Sequence, residues 1–123
     1  MTDHAGTILM VMSNRQNLDI MSEFIVRLGY TPMKVDSLNQ FKPTLDLKQQ
    51  LLLALIDLTG FDKSVWDVCS RLHEMNVPML VIAPKYNSSF ETESIGRGAS
   101  GLLIKPLVMR ELSALIQKML SRK

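Results

Sequence analysis

The feature that most constrains the fold is a regular alternation of short apolar runs with longer segments of helical periodicity. Strands are predicted at residues 7–12, 31–35, 51–57, 78–83 and 101–104. Because most of these runs lack polar residues at alternate positions, they are typical of parallel strands covered on both faces. Right-handed crossovers between such strands predict a three-layer α/β/α sandwich around a five-stranded parallel sheet. For five βα units in 123 residues, the flavodoxin-like strand order 2-1-3-4-5 is the leading prediction.

Helical patterns follow the predicted strands. Asn14 is a candidate N-cap and Gly29 a candidate C-cap of the first helix. A second helix is predicted at residues 37–48, a segment that contains Pro43. Residues 88–97 carry few apolar anchors, so we expect a short and mobile helix there. The other two helices are predicted from apolar stripes at Val65, Val68, Cys69 and Leu72, and at Met109, Leu112, Leu115, Ile116 and Met119.

Length and composition restrict the class of protein. The chain suits one domain, residues 1–123, in which residues 1–6 are expected to form a flexible terminus. A net charge of +2, with basic residues scattered along the chain, argues against nucleic acid as a partner of this domain. The apolar run at residues 8–12 is too short for a signal peptide or a membrane span. The single cysteine, Cys69, is predicted to be a buried structural thiol, and the lack of a disulfide partner fits a reducing compartment. We therefore expect a cytoplasmic protein without a membrane partner.

The carboxyl edge of the predicted sheet is where open α/β folds place their chemistry. The loops after the first and third strands line the main crevice there, with the end of the fifth strand close by. Asp57 then faces Lys105, and we expect an ion pair because pairing lowers the cost of burying either charge. The alternative for Asp57 is a structural role, in which it closes a strand and begins a turn. The other residues of this edge are Met12, Ser13, Asn14, Ala83, Pro84 and Pro106.

Three segments carry a resemblance to a known family. The segment GASGLLIKPLVMRELSALI resembles the closing half of a receiver domain of bacterial two-component response regulators. Its most specific part is Lys105-Pro106 followed by Glu111-Leu112, and a cis peptide bond is predicted before Pro106. The segment ILMVMSNRQNLDIMSEFIVRLGY is similar to the first strand and helix of that family, and ALIDLTG is similar to its third strand. The resemblance spans nearly the whole chain.

The resemblance implies a phosphorylation switch. In the family, an aspartate at the end of strand 3 attacks a kinase phosphohistidine, and a magnesium ion held by acids after strand 1 offsets the negative charge. A lysine after strand 5 contacts the phosphoryl group, and a hydroxyl after strand 4 moves to hydrogen-bond it. Carried over by position, the phosphoacceptor falls on Asp57 and the phosphate-contacting lysine on Lys105.

The other positions of the family's site depart from its pattern. The acidic pair falls on Met12 and Ser13, and the switch hydroxyl falls on Ala83. Mg²⁺ prefers carboxylate and water oxygens, so we expect the affinity of this site for Mg²⁺ to fall sharply. No bound metal or other cofactor is expected. The degenerate positions are Met12, Ser13, Asn14, Thr59, Ala83 and Leu102, with Leu103 as the alternative position of the aromatic switch in strand 5.

Three hypotheses of different classes follow. The first is an atypical receiver, or pseudo-receiver, in a two-component or phosphorelay pathway, which acts by protein–protein interaction and is not an enzyme. Its expected partner is a sensor histidine kinase or another signalling protein, and a homodimer through the last helices is a further option. The second is a working receiver that is phosphorylated on Asp57 by a histidine kinase and binds Mg²⁺ weakly. The third is a small-ligand-binding flavodoxin-like module, which ranks last because SNRQN after strand 1 is not a glycine-rich phosphate loop.

Overall fold

The computed structural model of the chain describes residues 6–40 and 51–120. The strands are β1 (Thr7–Val11), β2 (Thr31–Val35), β3 (Leu51–Asp57), β4 (Met79–Ala83) and β5 (Gly101–Ile104). The helices are α1 (Arg15–Arg27), α2 (Val65–Glu74), α3 (Ser88–Gly96) and α4 (Met109–Leu120), with a 3₁₀ turn at Leu38–Gln40. Two predictions fall wholly or partly outside the described residues: the flexible terminus, of which residue 6 alone is described, and residues 41–48 of the second predicted helix.

The five strands form one parallel sheet in the order β2-β1-β3-β4-β5. This is the flavodoxin-like order predicted from the sequence, and the prediction is confirmed. β1 and β3 are neighbours although β2 lies between them in the chain, so the strand order changes direction between them. The carboxyl ends of β1, β3 and β4 consequently meet at one edge of the sheet, where a crevice is expected.

Both faces of the sheet are covered, which explains the missing polar alternation in the strands. In β1, Leu9 and Val11 belong to the core cluster packed against α2 and α3, whereas Ile8 and Met10 belong to the cluster packed against α1 and α4. All four side chains are fully buried. Cys69 of α2 is also fully buried in the first cluster, as predicted for a structural thiol.

The first helix begins and ends as its capping residues predict. The side chain of Asn14 accepts a hydrogen bond from the amide of Asn17 at 2.9 Å, which satisfies one of the free donors of the first turn. At the other end, Gly29 has a φ of +97°, a left-handed conformation that lets the chain leave the helix without a Cβ penalty.

α3 is regular although its sequence offers few apolar anchors. Ser94 is the buried residue of this helix, and Phe90 is partly buried against the core cluster of α2. Arg97, directly after α3, connects this end of the helix to α2, because its Nη1 donates to the Ser70 hydroxyl at 3.0 Å and to the Trp66 carbonyl at 3.3 Å. The short length predicted for this helix is correct, and its mobility remains a prediction.

Element boundaries differ from the prediction by one residue in two strands. β1 ends at Val11 instead of Met12, and β4 begins at Met79 instead of Pro78. Both neighbouring residues still make a single ladder contact, since the Met12 amide donates to Val35 and the Pro78 carbonyl accepts from Ala54. Within the described ranges, no helix combines the length and the apolarity that a bilayer span requires.

Candidate functional site

Asp57 is the last residue of β3 and lies at the carboxyl edge of the sheet. β3 is the central strand, with β1 on one side and β4 on the other, and Asp57 is in register with Ile82 of β4. Asp57 is only 3% exposed. A carboxylate this deeply buried is costly unless a cation or hydrogen-bond donors compensate its charge.

Lys105 supplies the compensating charge. It follows β5 directly, and its Nζ lies 2.8 Å from Oδ2 of Asp57, which confirms the predicted ion pair. The Lys105 side chain is 29% exposed, so its stem runs from the surface inward to the buried acid. The peptide bond between Lys105 and Pro106 is cis, as predicted.

Thr59 contacts both members of this pair. Its backbone amide donates to Oδ1 of Asp57 at 3.0 Å, and its hydroxyl oxygen accepts from Nζ of Lys105 at 3.2 Å. Both carboxylate oxygens of Asp57 therefore have a protein donor. The bond between Asp57 and the amide of Thr59 is also the turn contact expected for an aspartate that closes a strand, so Asp57 fills the structural role as well as the ionic one.

The three residues after β1 make different contacts. Met12 is buried in the core cluster of α1 and α4 and presents no oxygen ligand. Asn14 caps α1 with its side-chain oxygen. Ser13 instead reaches the loop after β3, where its hydroxyl donates to the carbonyl of Thr59 at 2.8 Å.

The remaining predicted positions lie on strands β4 and β5. Ala83 ends β4, is fully buried, and offers no hydroxyl toward the edge. Leu102 and Leu103 were alternatives for the aromatic position of the family. Leu102 packs with the cluster of α2 and α3, whereas Leu103 packs with the cluster of α1 and α4, so the two lie on opposite faces of the sheet.

The residues at this edge do not fit a magnesium ion. Mg²⁺ requires oxygen ligands in near-octahedral geometry, commonly including one or two carboxylates. In the described part of the chain, no group of three His, Cys, Asp or Glu side chains is placed to hold a metal. The next acid along the loop, Asp62, accepts bonds from the hydroxyl and amide of Ser64, and these bonds lower the pKa of the Asp62 carboxyl.

Sequence reasoning missed the close approach of the loops after β1 and β3. Gly60 has a φ of +85°, and a Cβ at this position would overlap the Ser13 hydroxyl. The only sequence signal was the Thr59-Gly60 pair directly after Asp57, which indicates a turn but not the residue that the turn meets. The contact of Ser13 with Thr59 depends on the packing of two loops that are distant in the chain.

Several solved structures with the same fold are receiver domains or response regulators. A two-component response regulator from Clostridium difficile aligns with a TM-score of 0.86 at 17% identity, over 95% of this chain and 97% of that one. An orphan response regulator of H. pylori aligns with a TM-score of 0.81 at 20% identity, over 97% of this chain and 99% of that one. A CheY-like response regulator receiver domain protein from Methanospirillum hungatei gives a TM-score of 0.81 at 19% identity, over 94% of this chain and 93% of that one.

The likeness is one of fold. No protein-family model matches the sequence, and no curated protein sequence matches it either. The chain has the fold of the receiver domains of two-component response regulators, as its sequence resemblance implied.

Proposed function

We propose that this chain is a receiver-like signalling domain of a two-component or phosphorelay pathway, and that it acts by binding another protein without aspartyl phosphorylation. The observation that carries the proposal is the state of Asp57. Its two carboxylate oxygens accept from Lys105 and from the amide of Thr59, while Met12 and Ser13 stand where the family has acids.

The physics of phosphoryl transfer supports this proposal. The transferred group carries negative charge on three oxygens, and catalysis depends on positioning and on electrostatic stabilisation of that charge. Lys105 can neutralise only part of it, and its ammonium is already paired with Asp57 at 2.8 Å. Ala83 has no hydroxyl with which to report a phosphoryl group, so we expect both the formation and the recognition of a phosphoaspartate to be impaired.

The proposed partner is a sensor histidine kinase or another signalling protein, and the proposed compartment is the cytoplasm. A second copy of the chain, bound through α3 and α4, is a further candidate partner. The proposed unit is a single domain that needs no bound metal or cofactor and has no enzymatic activity of its own. The net charge of +2 gives no basis for a nucleic-acid partner.

A working receiver is the second candidate, and one observation favours it. Asp57 lies at the end of β3 and Lys105 follows β5, which are the positions that the family uses for its phosphoacceptor and its phosphate-contacting lysine. Displacement of Thr59 and Lys105 from the carboxylate would expose an oxygen for attack on phosphorus. This candidate requires Mg²⁺ to bind despite the lost acids.

Amide NMR distinguishes the two candidates. Spectra are recorded with Mg²⁺ alone, with Mg²⁺ and beryllofluoride, and with a nucleotide. For the proposed function, we expect the resonances of the loops after β1, β3 and β5 to stay in place under all three conditions.

The Asp57→Asn variant is the matched control for the spectra, because it keeps the size of the side chain and loses the acceptor carboxylate. Magnesium-dependent and beryllofluoride-dependent shifts that occur in the wild type and vanish in Asp57→Asn would refute the proposed function and establish the working receiver. Shifts with a nucleotide but not with beryllofluoride would instead support a small-ligand-binding module.

A further inference from the structure

Ser13 joins two loops that are far apart in the chain. Its hydroxyl donates to the backbone carbonyl of Thr59 at 2.8 Å, which connects the loop after β1 to the loop after β3. Ser13 is partly buried, and the hydrogen bond itself lies at the exposed edge of the sheet. The bond uses a main-chain oxygen, and the identity of the side chain at position 59 is not needed for it.

Thr59 extends this connection to two further residues. Its amide donates to Asp57 at 3.0 Å, and its hydroxyl oxygen accepts from Lys105 at 3.2 Å. The amide, carbonyl and hydroxyl of Thr59 are therefore each bonded to a different residue of the edge. Through these bonds the loops after β1, β3 and β5 form one connected network.

Gly60 makes the approach of Ser13 possible. It has a φ of +85°, which a residue with a side chain adopts only under strain. A Cβ at position 60 would overlap the Ser13 hydroxyl and would come within 3.1 Å of the Ser13 Cβ. The two loops are thus fitted to each other by a hydrogen bond and by the absence of a side chain.

We propose that Ser13, Asp57, Thr59 and Lys105 form a metal-independent clasp that holds this edge of the sheet in one conformation. A divalent cation at such an edge would connect oxygen ligands from different loops, whereas here hydrogen bonds and one ion pair make those connections directly. Met12 is also unsuited to a magnesium site, because its thioether is a soft ligand that a hard cation such as Mg²⁺ does not prefer.

This clasp rests on the proposed function and gives it a structural basis. If the edge is held by the protein's own groups, the surface around the three loops has the same shape whether or not a phosphodonor or a metal is present. A partner would then recognise a constant surface, and its binding would be controlled by the amount of protein and not by a switch at Asp57.

Thermal unfolding of the full chain tests the clasp. We expect Ser13→Ala to lower the Tm by about 3–5 °C, the size expected for one lost hydrogen bond in a small domain. Ser100→Ala, an exposed serine before β5, is the matched control and should shift the Tm by less than about 1 °C. Addition of 10 mM Mg²⁺ should leave the Tm of the wild type unchanged.

A second variant tests the fit of the two loops. Gly60→Ala should lower the Tm of the wild type more than it lowers the Tm of Ser13→Ala, because the overlapping hydroxyl is absent in the second background. Amide NMR of Ser13→Ala should show shifts not only near Thr59 but also in the loop after β5, which Lys105 connects to the network.

Two results would overturn the clasp. One is a Tm of Ser13→Ala equal to that of Ser100→Ala, with shifts confined to the neighbours of position 13. The other is a wild-type Tm that rises by several degrees with Mg²⁺. The proposed function is refuted by a different result, namely amide shifts at Asp57 on addition of beryllofluoride. If Ser13→Ala leaves the Tm unchanged and beryllofluoride causes no amide shifts, the clasp alone is refuted.

Discussion

Nζ of Lys105 lies 2.8 Å from Oδ2 of Asp57, and this contact joins the ends of β5 and β3 across the intervening strand β4. The acid is buried and the lysine is partly exposed, so the pair is neither a surface salt bridge nor a fully desolvated one. Pairs at the surface contribute little to stability, whereas removal of one partner from a buried pair leaves a costly unpaired charge. The position of Asp57 predicts the second kind of effect.

Replacement of Lys105 by methionine should destabilise the protein by about 1–3 kcal/mol, because the Asp57 charge loses its cation while remaining buried. Urea unfolding followed by the fluorescence of Trp66 measures the effect. Lys85→Met, a change at an exposed lysine, is the control and should have little effect. The double variant Asp57→Asn with Lys105→Met should be less destabilised than Lys105→Met alone, and a double variant that is worse would contradict this account.

Gly98→Ala should destabilise the protein by more than about 1 kcal/mol. Gly98 has a φ of +94°, and a Cβ at this position would overlap the imidazole of His73. Gly96→Ala is the matched control, because Gly96 lies in α3 and a Cβ there meets no atom within 4 Å. Because Gly96 is the last residue of α3, this second change should alter stability by less than about 0.5 kcal/mol. Equal effects of the two changes in urea unfolding would refute the explanation from the backbone angle and the overlap at Gly98.

The thiol of Cys69 predicts a dependence of stability on alkaline pH. Burial raises the pKa of this thiol from 9.0 to about 12, and the charge of Arg97 opposes part of that rise. Because the pKa is higher in the folded state, the contribution of the thiol to stability is complete below pH 9 and is lost as the pH rises toward 12. The loss should be on the order of 1 kcal/mol between pH 8 and pH 10.

Comparison with Cys69→Ala isolates this contribution, since the variant keeps all other groups that titrate in the same range. The difference between the unfolding free energies of the wild type and the variant should be smaller at pH 10 than at pH 8 by that amount. A difference that stays constant with pH would show that the thiol titrates alike in both states. Native protein at pH 8 should also react slowly with thiol reagents, because the thiol is both buried and protonated.

Arg97→Met should loosen the contact of α3 with α2 and lower stability by about 1–2 kcal/mol. The guanidinium donates to Ser70 and to the carbonyl of Trp66, both in α2, and it pairs with Glu93 of α3 at 2.8 Å. Hydrogen exchange should show faster opening of α3 in the variant, since few apolar contacts hold this helix. Arg110→Met, at an exposed position of α4, is the control; the prediction fails if both variants exchange alike.

Much of the fold was predictable because it depends on patterns that are local in the sequence. The apolar runs determine the strands, and the absence of polar alternation indicates that both faces of the sheet are covered. Asp57 and Lys105 could be predicted to meet because parallel strands bring their carboxyl ends to one edge, which is a consequence of topology and not of side-chain detail. Asn14 and Gly29 end their helix through bonds and dihedral angles confined to a few residues.

The contacts of Ser13 and Arg97 could not be predicted in this way. A serine after a strand can face water, cap a helix or bond to another loop, and its sequence neighbours do not distinguish these cases. Arg97 contacts residues of α2, a helix that lies far from it in the chain. No residue spacing in the sequence indicates that these residues meet.

The class of fold, the order of the strands and the meeting of Asp57 with Lys105 at the sheet edge could all be inferred from the amino-acid sequence. These features follow from hydrophobic burial and chain connectivity, which act on average properties of whole segments. The hydrogen bond from Ser13 to Thr59 became evident only in the folded molecule, because such a bond requires its two heavy atoms to lie within a few tenths of an ångström of one distance. That precision comes from the packing of the two loops, and it is what joins Asp57 and Lys105 to the rest of the edge.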